Sequence, residues 1–444
     1  MLRSDIVMGA SLLKTFQKKN VNDQVLYRDD KNGSYFGLDK SKLSRHVLLL
    51  GSAGSGKTNV FNLTMDQLRN RNDDKEDIYI FFDTKGDFKK NFFVPGDSVI
   101  GNGRDYRGIS RVWNIFQEIL ADGMEPEDYM QNARELSSSL FVDKGSESQP
   151  FFRNAAQDIF TNLLIHFIRE NSMDPVSAFN HQMNNEALKR FLDGEGIETY
   201  RKIFRMHPDM NGLLSYIGEN GSETNQALGV FGVMKNMASE CFTGIFAKNN
   251  GSDGFSMREA VRRKGGRAIF IEYDLAVGES LTPIYRILID LALKEALGRQ
   301  EGEFGNVYMV LDELKLLPKL QHLDDALNFG RGMGVKVIAG LQSINQLYDI
   351  YGKEKGLVIA GGFSTIFAFH TSDSASREYV SDLFGNNLES YRYTNAMDEY
   401  VIKERDGKTV EVWDQTSLEM GDAVIGLADE KEPFRFHFSE YKKH

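Results

Sequence analysis

The stretch LLLGSAGSGKTNVF, residues 48–61, limits the possible folds more than any other part of the chain. Three leucines lead into Gly51, Ser52, Ala53, Gly54, Ser55, Gly56, Lys57 and Thr58, which match G-x-x-x-x-G-K-[ST] at every fixed position. The glycines of such a loop let backbone N–H groups turn inward around phosphate oxygens. The lysine reaches the β- and γ-phosphates, and the threonine hydroxyl ligates Mg²⁺. The loop requires a buried strand before it and a helix after it. HVLLLG supplies the strand, and NVFNLTMDQLRN has apolar residues at helical spacing.

The rest of the chain extends this pattern. QVLYRD and SYFGLD flank DKNG, so residues 21–44 read as a hairpin turning at Asn32-Gly33. IYIFFDTKGD is a second buried strand. From about residue 120 to about 250 the signal is helical: PEDYMQNARELSSSLF, FFRNAAQDIFTNLLIHFI, NEALKRFL and SETNQALGVFGVMKNMASECF, with Pro126 placed to start a helix. Strand-like runs then return in GRAIFIEYDL, NVYMVLDEL, VKVIAGLQS and FSTIFAFHT, with helical runs such as LTPIYRILIDLALKEALGR between them. Strands alternating with helices predict a mostly parallel sheet. The expected organisation is an α/β nucleotide-binding domain in two parts, residues 1–119 and 251–444, interrupted by an all-α domain over 120–250.

Composition excludes several classes. The formal charge of −11 rules out a uniformly basic nucleic-acid coat, though not a local basic face. One such patch, VRRKGGR at 261–267, reads first as a solvated turn. The single cysteine, Cys241, rules out an internal disulfide framework and reads as a small buried residue in a reducing compartment. No window reaches the ~20 apolar residues of a membrane span, and IVMGASLL near the start has neither the length nor the flanks of a signal peptide. A cytoplasmic or peripheral location is therefore expected.

Four further elements bear on chemistry. In VYMVLDEL, five apolar residues end at Asp312-Glu313. A buried strand presents Asp312 at its C-terminal end, where it can hold Mg²⁺, and Glu313 beside it can take a proton from an attacking water. Gln342 closes VKVIAGLQ at a similar strand end, where a neutral amide can bond the γ-phosphate or that water; a plain surface amide is the rival reading. Arg331, flanked by glycines in FGRGMG, can reach a neighbouring subunit's nucleotide or simply be surface charge. DTKGD at 83–87 mimics two GTPase elements at once, which one stretch cannot be, so the likeness is coincidence. Its place at a strand end beside the loop still predicts that Asp83 and Lys85 face the nucleotide site.

HVLLLGSAGSGKT, DTKGD, VYMVLDELKLLPKLQHLDDALNFGRGMGVKVIAGLQSINQLYDIYG and STIFAFHTSDSASREYVSDLFG together resemble the TraG/TraD group of type IV coupling proteins, over about residues 40–440. The resemblance implies a RecA-like motor domain with an all-α insertion between its two metal elements. It also implies ATP and Mg²⁺ as cofactors, with Lys57 and Thr58 as the Walker A pair and Asp312 and Glu313 as the Walker B pair. Gln342 matches the family's γ-phosphate glutamine, and Arg331 the R-x-x-G arginine proposed to act across subunits. By resemblance, the motor is a homo-hexameric ring that moves single-stranded DNA towards a type IV secretion channel. Its partners are a relaxase or relaxosome, or effector proteins, together with the channel ATPases and a membrane partner. The all-α part, with PFFRNAAQDI, matches the region implicated in engaging cargo.

The chain departs from the family pattern in places. Thr84 and Asp87 replace the proline and glutamate of D-P-K-G-E. No N-terminal membrane anchor is present, so the chain is expected to be the motor portion of such a protein or a member recruited by a membrane partner. Two other readings stay open on residues alone. One is a segregation or packaging motor of the FtsK/HerA kind, against which the helical insertion argues. The other is an ATP-dependent docking platform for protein effectors, with which the acidic charge is compatible.

Overall fold

The structure is a computed structural model that describes residues 3–71, 76–141, 150–220, 224–263, 265–276, 278–299, 305–394 and 400–443. Lys264 of the basic stretch, Ser222 and Glu223 at the head of the last helical run, and His444 lie outside them. The chain divides into two compact units. The first is Met1–Asp97, Lys264–Phe270 and Ala296–His444; the second is Ser98–Arg263 and Ile271–Glu295.

The first unit carries seven strands of a large sheet and most of an eighth: β1 (Val47–Leu50), β2 (Ile78–Asp83), β3 (Arg267–Glu272, in this unit as far as Phe270), β4 (Val307–Leu311), β5 (Val335–Leu341), β6 (Thr365–Phe369), β7 (Asp422–Gly426) and β8 (Phe434–His437). They lie side by side in the order β8-β7-β6-β1-β5-β4-β2-β3. β1 pairs in parallel with β5 and β6, and β4 in parallel with β5 and β2. β7 and β8 close one side as antiparallel strands. Every residue of β1, β2, β4, β5 and β6 is buried. Strands covered on both faces read as unbroken apolar runs rather than alternating ones, which is why they were visible in the sequence. Ring stacking carries the packing across strands, as in Tyr79 on Tyr308 at 4.9 Å and Phe81 on Phe270 at 4.8 Å. The fold is a RecA-like P-loop α/β fold with a mostly parallel sheet.

The predicted hairpin is present as the antiparallel strands Asp23–Arg28 and Tyr35–Asp39. Gly33 has φ 75°, a conformation glycine adopts without strain, and Asp29 N donates to Ser34 O across the turn at 2.8 Å. Phe36 of this hairpin is fully buried against Phe436 at 4.8 Å and Phe434 at 5.3 Å, tying the N-terminal hairpin to the C-terminal strands. Burying such a ring is worth about 1.5–3 kcal/mol.

The second unit is largely helical. The helix Pro126–Leu140 begins with its proline in the first turn, where the missing N–H costs nothing. Asn184 and Thr224 cap the helices Asn185–Gly194 and Asn225–Cys241 through side-chain oxygens. The unit is wider than the helical stretch 120–250, since it begins at Ser98 and takes in most of the helix Gly278–Leu297. Its interior holds a charged centre. Glu118 is fully buried and accepts from Trp113 Nε1 (2.8 Å), Met257 N (2.7 Å) and Arg258 N (2.8 Å). Arg262 of the basic stretch is ion-paired with Glu295 and Asp122, so it serves as a structural contact. Cys241 is buried. Among the described residues, no helix is long and apolar enough to cross a membrane.

Candidate nucleotide site

The parallel pairing decides the site. It sets the C-terminal ends of β1, β2, β4, β5 and β6 along one edge, so Gly51, Asp83, Asp312, Gln342 and His370 follow one another there. Ligands bind at that edge in open α/β sheets. The loop after β1 is stitched to its neighbours, with Gly51 N donating to Leu341 O (3.0 Å) and Ser52 N to His370 O (2.9 Å). Gly54 and Gly56 have φ 77° and 112°, backbone that a side chain would strain. The chain then enters the helix α1 (Lys57–Arg71), whose first N–H groups have no intrahelical acceptor and form a natural anion site.

Lys57 is 8% exposed, and its Nζ donates to Gly51 O (2.5 Å) and Ser52 O (3.1 Å) across its own loop. Burial lowers its pKa, while the charges of Asp312 and Glu313 pull it back up. Thr58 Oγ1 donates to Asp312 Oδ2 at 3.3 Å, bringing the two expected metal-holding residues together. Asp312 is 9% exposed, and burial raises its pKa to about 6 despite the opposing charges of Lys57 and Lys85. Glu313 Oε2 accepts from Gln342 Nε2 at 2.6 Å, so the ends of β4 and β5 meet. Two buried atoms, Ser55 Oγ and Glu313 Oε1, have no protein partner. Two orphaned polar atoms and a carboxylate short of positive charge are what a phosphate chain with a divalent cation would satisfy, so the residues fit that group.

The other candidates are placed differently. The Asp83 carboxylate is occupied by its own turn, accepting from Lys85 N (2.9 Å), Gly86 N (3.0 Å) and Phe88 N (2.8 Å). Its first task is therefore to shape DTKGD. Lys85 is solvent-exposed at the same edge, near enough for its charge to act on Asp312 and Lys57. Arg331 is exposed in the turn before β5. That is the opposite end of the strand from Gln342, roughly 20 Å away at about 3.3 Å per residue. The fold therefore does not bring Arg331 to the loop of its own chain.

Sequence reading missed the groups that brace the loop. Ser372 N donates to Ser52 Oγ (3.1 Å), and Gly421 N to Ser55 O (3.0 Å). A Cβ on Gly56 would stand 3.3 Å from Gly421 Cα. Gln342 N donates to Gln346 Oε1 (3.1 Å), and Ile344 N to the buried Ser376 Oγ (2.9 Å), which set the chain after β5. The serines and Gly421 carry no motif; only Gln346, spaced four from Gln342, had a local signal. A surface cleft of about 460 Å³, lined by Tyr27, Asp66, Gln67 and Tyr441 among others, shares no residue with this site.

Residues 35–412 match the family described as the type IV secretion-system coupling protein DNA-binding domain. The chain is 25% identical over 348 residues to the coupling protein TraD of Escherichia coli (strain K12), an alignment covering 77% of this chain and 44% of TraD. It is also 25% identical over 268 residues to the conjugal transfer protein TraG of Agrobacterium fabrum, covering 56% of this chain and 38% of TraG. The chain thus spans less than half the length of these relatives. Among solved structures it resembles the bacterial conjugative coupling protein TrwBdeltaN70 in its unbound form, with a TM-score of 0.76 at 18% identity, covering 99% of this chain and 94% of that one. TrwB in complex with ADP and Mg²⁺ gives a TM-score of 0.72 at 18% identity, covering 99% and 95%.

Proposed function

Because the chain belongs to the family of type IV secretion-system coupling proteins, we propose that it hydrolyses ATP and uses the energy to move DNA towards a secretion channel. The observation that carries this reading is the convergence of Lys57, Thr58, Asp312, Glu313 and Gln342 at one sheet edge, with Glu313 held by the Gln342 amide at 2.6 Å. A protein that only binds nucleotide needs the loop and the lysine. A carboxylate positioned by a neutral amide beside them is the equipment of hydrolysis.

Each residue has a task. Backbone N–H groups of Gly54, Gly56, Lys57 and Thr58 bind the phosphates. Lys57 leaves its two loop carbonyls to meet the β- and γ-phosphates. Thr58 and Asp312 would hold Mg²⁺, which supplies neutralising charge on the phosphate oxygens when bound. Glu313 accepts the proton of the attacking water through its unpartnered Oε1, and Gln342 keeps that carboxylate aimed. Solved structures of TrwB with ADP and Mg²⁺ and with a non-hydrolysable ATP analogue support this choice of cofactors. Arg331 completes the site of a neighbouring subunit in a ring, a reading supported by its exposure at the end of β5 remote from its own loop. The helical unit engages cargo.

The test is the ATPase rate of the purified chain with and without single-stranded DNA, over a range of protein concentrations, with Glu313→Gln as the inactive control. A DNA-stimulated rate that rises steeply with concentration is expected. A rate indifferent to DNA would replace the motor with a docking platform for proteins.

A further inference from the structure

Outside the nucleotide site, one cluster of ligand-type side chains stands out, and it lies wholly within the second unit. The helix Pro150–Glu170 places His166 and Glu170 four residues apart, hence on one face. His207 follows the helix Ile197–Met206 and precedes Pro208. A residue before proline is driven to extended backbone, and His207 has φ −118° and ψ 110°. This turn directs its ring at the long helix, where His166 Nδ1 lies 3.0 Å from His207 Nε2. The candidate ligand atoms of His166, Glu170 and His207 are all within 4.8 Å of one another.

We propose that His166, Glu170 and His207 form a zinc site that staples the His207 turn to the helix Pro150–Glu170. The donor set is two imidazoles and one carboxylate, a set that suits Zn²⁺ and leaves the fourth tetrahedral position to water. Zinc–nitrogen bonds of about 2.0–2.1 Å put tetrahedral donors about 3.3 Å apart, so the two nitrogens part by only a few tenths of an ångström, while the rings, whose nitrogens now face each other, turn so that both lone pairs aim at one ion. The positive charge of the neighbouring Arg169 is partly offset, because Arg169 is bound bidentately by Asp209 at 3.0 and 2.8 Å. That ion pair joins the same helix to the same turn and holds the two halves of the site in register without metal. Both histidines are half-buried and Glu170 is exposed, so an ion can enter from solvent.

The test uses the full chain, stripped with a chelator and titrated with ZnCl₂ by calorimetry, with Co²⁺ as a spectroscopic substitute. One Zn²⁺ per chain at this site and the visible absorption of tetrahedral Co²⁺ are expected. His207→Ala should abolish both, and Glu170→Gln, at an exposed position, should weaken binding by at least about tenfold. Asp312→Asn, in the nucleotide site, should leave the zinc stoichiometry unchanged. No binding by the parent chain would leave the contact a plain imidazole–imidazole hydrogen bond and overturn the proposal. So would parent affinity in Glu170→Gln, which decides the matter if His207→Ala does not fold.

Discussion

Asp312→Asn should make the nucleotide-free protein more stable while removing its capacity to hold Mg²⁺. The carboxyl is 9% exposed, and burial lifts its pKa from an ordinary 3.8 to about 6. A carboxyl that is a weaker acid folded than unfolded binds more protons in the folded state. The native state therefore loses stability as pH rises from about 4 through about 6, and the loss is complete above that window. At about 1.4 kcal/mol per pKa unit, the ionised group costs the fold about 3 kcal/mol at pH 7.5 and about half that at pH 5. Asparagine is a neutral group of the same shape whose amide oxygen can still accept from Thr58 Oγ1, so the variant should recover those amounts. Urea unfolding of both proteins at the two pH values measures the difference. Adding ADP and Mg²⁺ should narrow or reverse the ranking, because the parent chain, which can also hold the Mg²⁺, gains more stability by binding. An asparagine variant no more stable than the parent at pH 7.5, or one whose gain is the same at both pH values, would refute the reasoning. Asp312 would then be adequately compensated by Lys57 in the nucleotide-free state.

Glu313→Gln should bind ATP with near-parent affinity but turn it over about 10²–10⁴-fold more slowly, as read by equilibrium binding and single-turnover kinetics. Gly56→Ala places a side chain at φ 112° and 3.3 Å from Gly421 Cα, and should abolish nucleotide-induced thermal stabilisation with little change in helical content. Arg331→Ala and Lys57→Ala should each be inactive alone, whereas a mixture should regain part of the activity if the arginine acts across subunits; no recovery at any ratio would remove that role. In the second unit, Glu118→Ala should cost about 1–3 kcal/mol for each donor it orphans in urea unfolding, since the Trp113, Met257 and Arg258 N–H groups lose their buried acceptor while the Arg258 guanidinium keeps Asp122 and Glu135.

The sequence by itself determined the parts governed by local rules. The loop from Gly51 to Thr58 is contiguous, and its glycines and lysine act through their own backbone and side chain. The strands β1, β2, β4, β5 and β6 were legible because burial on both faces demands unbroken apolar runs. Helix starts at Pro126, Asn184 and Thr224 follow from residues that cap or begin helices wherever they stand. The antiparallel ribbon of Asn386–Thr394 and Tyr400–Lys408 escaped notice, because its residues are largely polar and charged and its pairing is non-local. Tertiary structure alone decided which strand ends are neighbours. The order β6-β1-β5-β4-β2 puts Gln342 against Glu313 and Thr58 against Asp312, pairs separated by hundreds of residues or by a whole strand. It also separated candidates that sequence treated alike: Asp83 was drawn into its own turn by three backbone N–H groups, and Arg331 was left at the far end of β5. The meeting of His166 with His207 has the same origin. Sheet order and helix packing are set by burial summed over the whole core, and no single segment contains that sum.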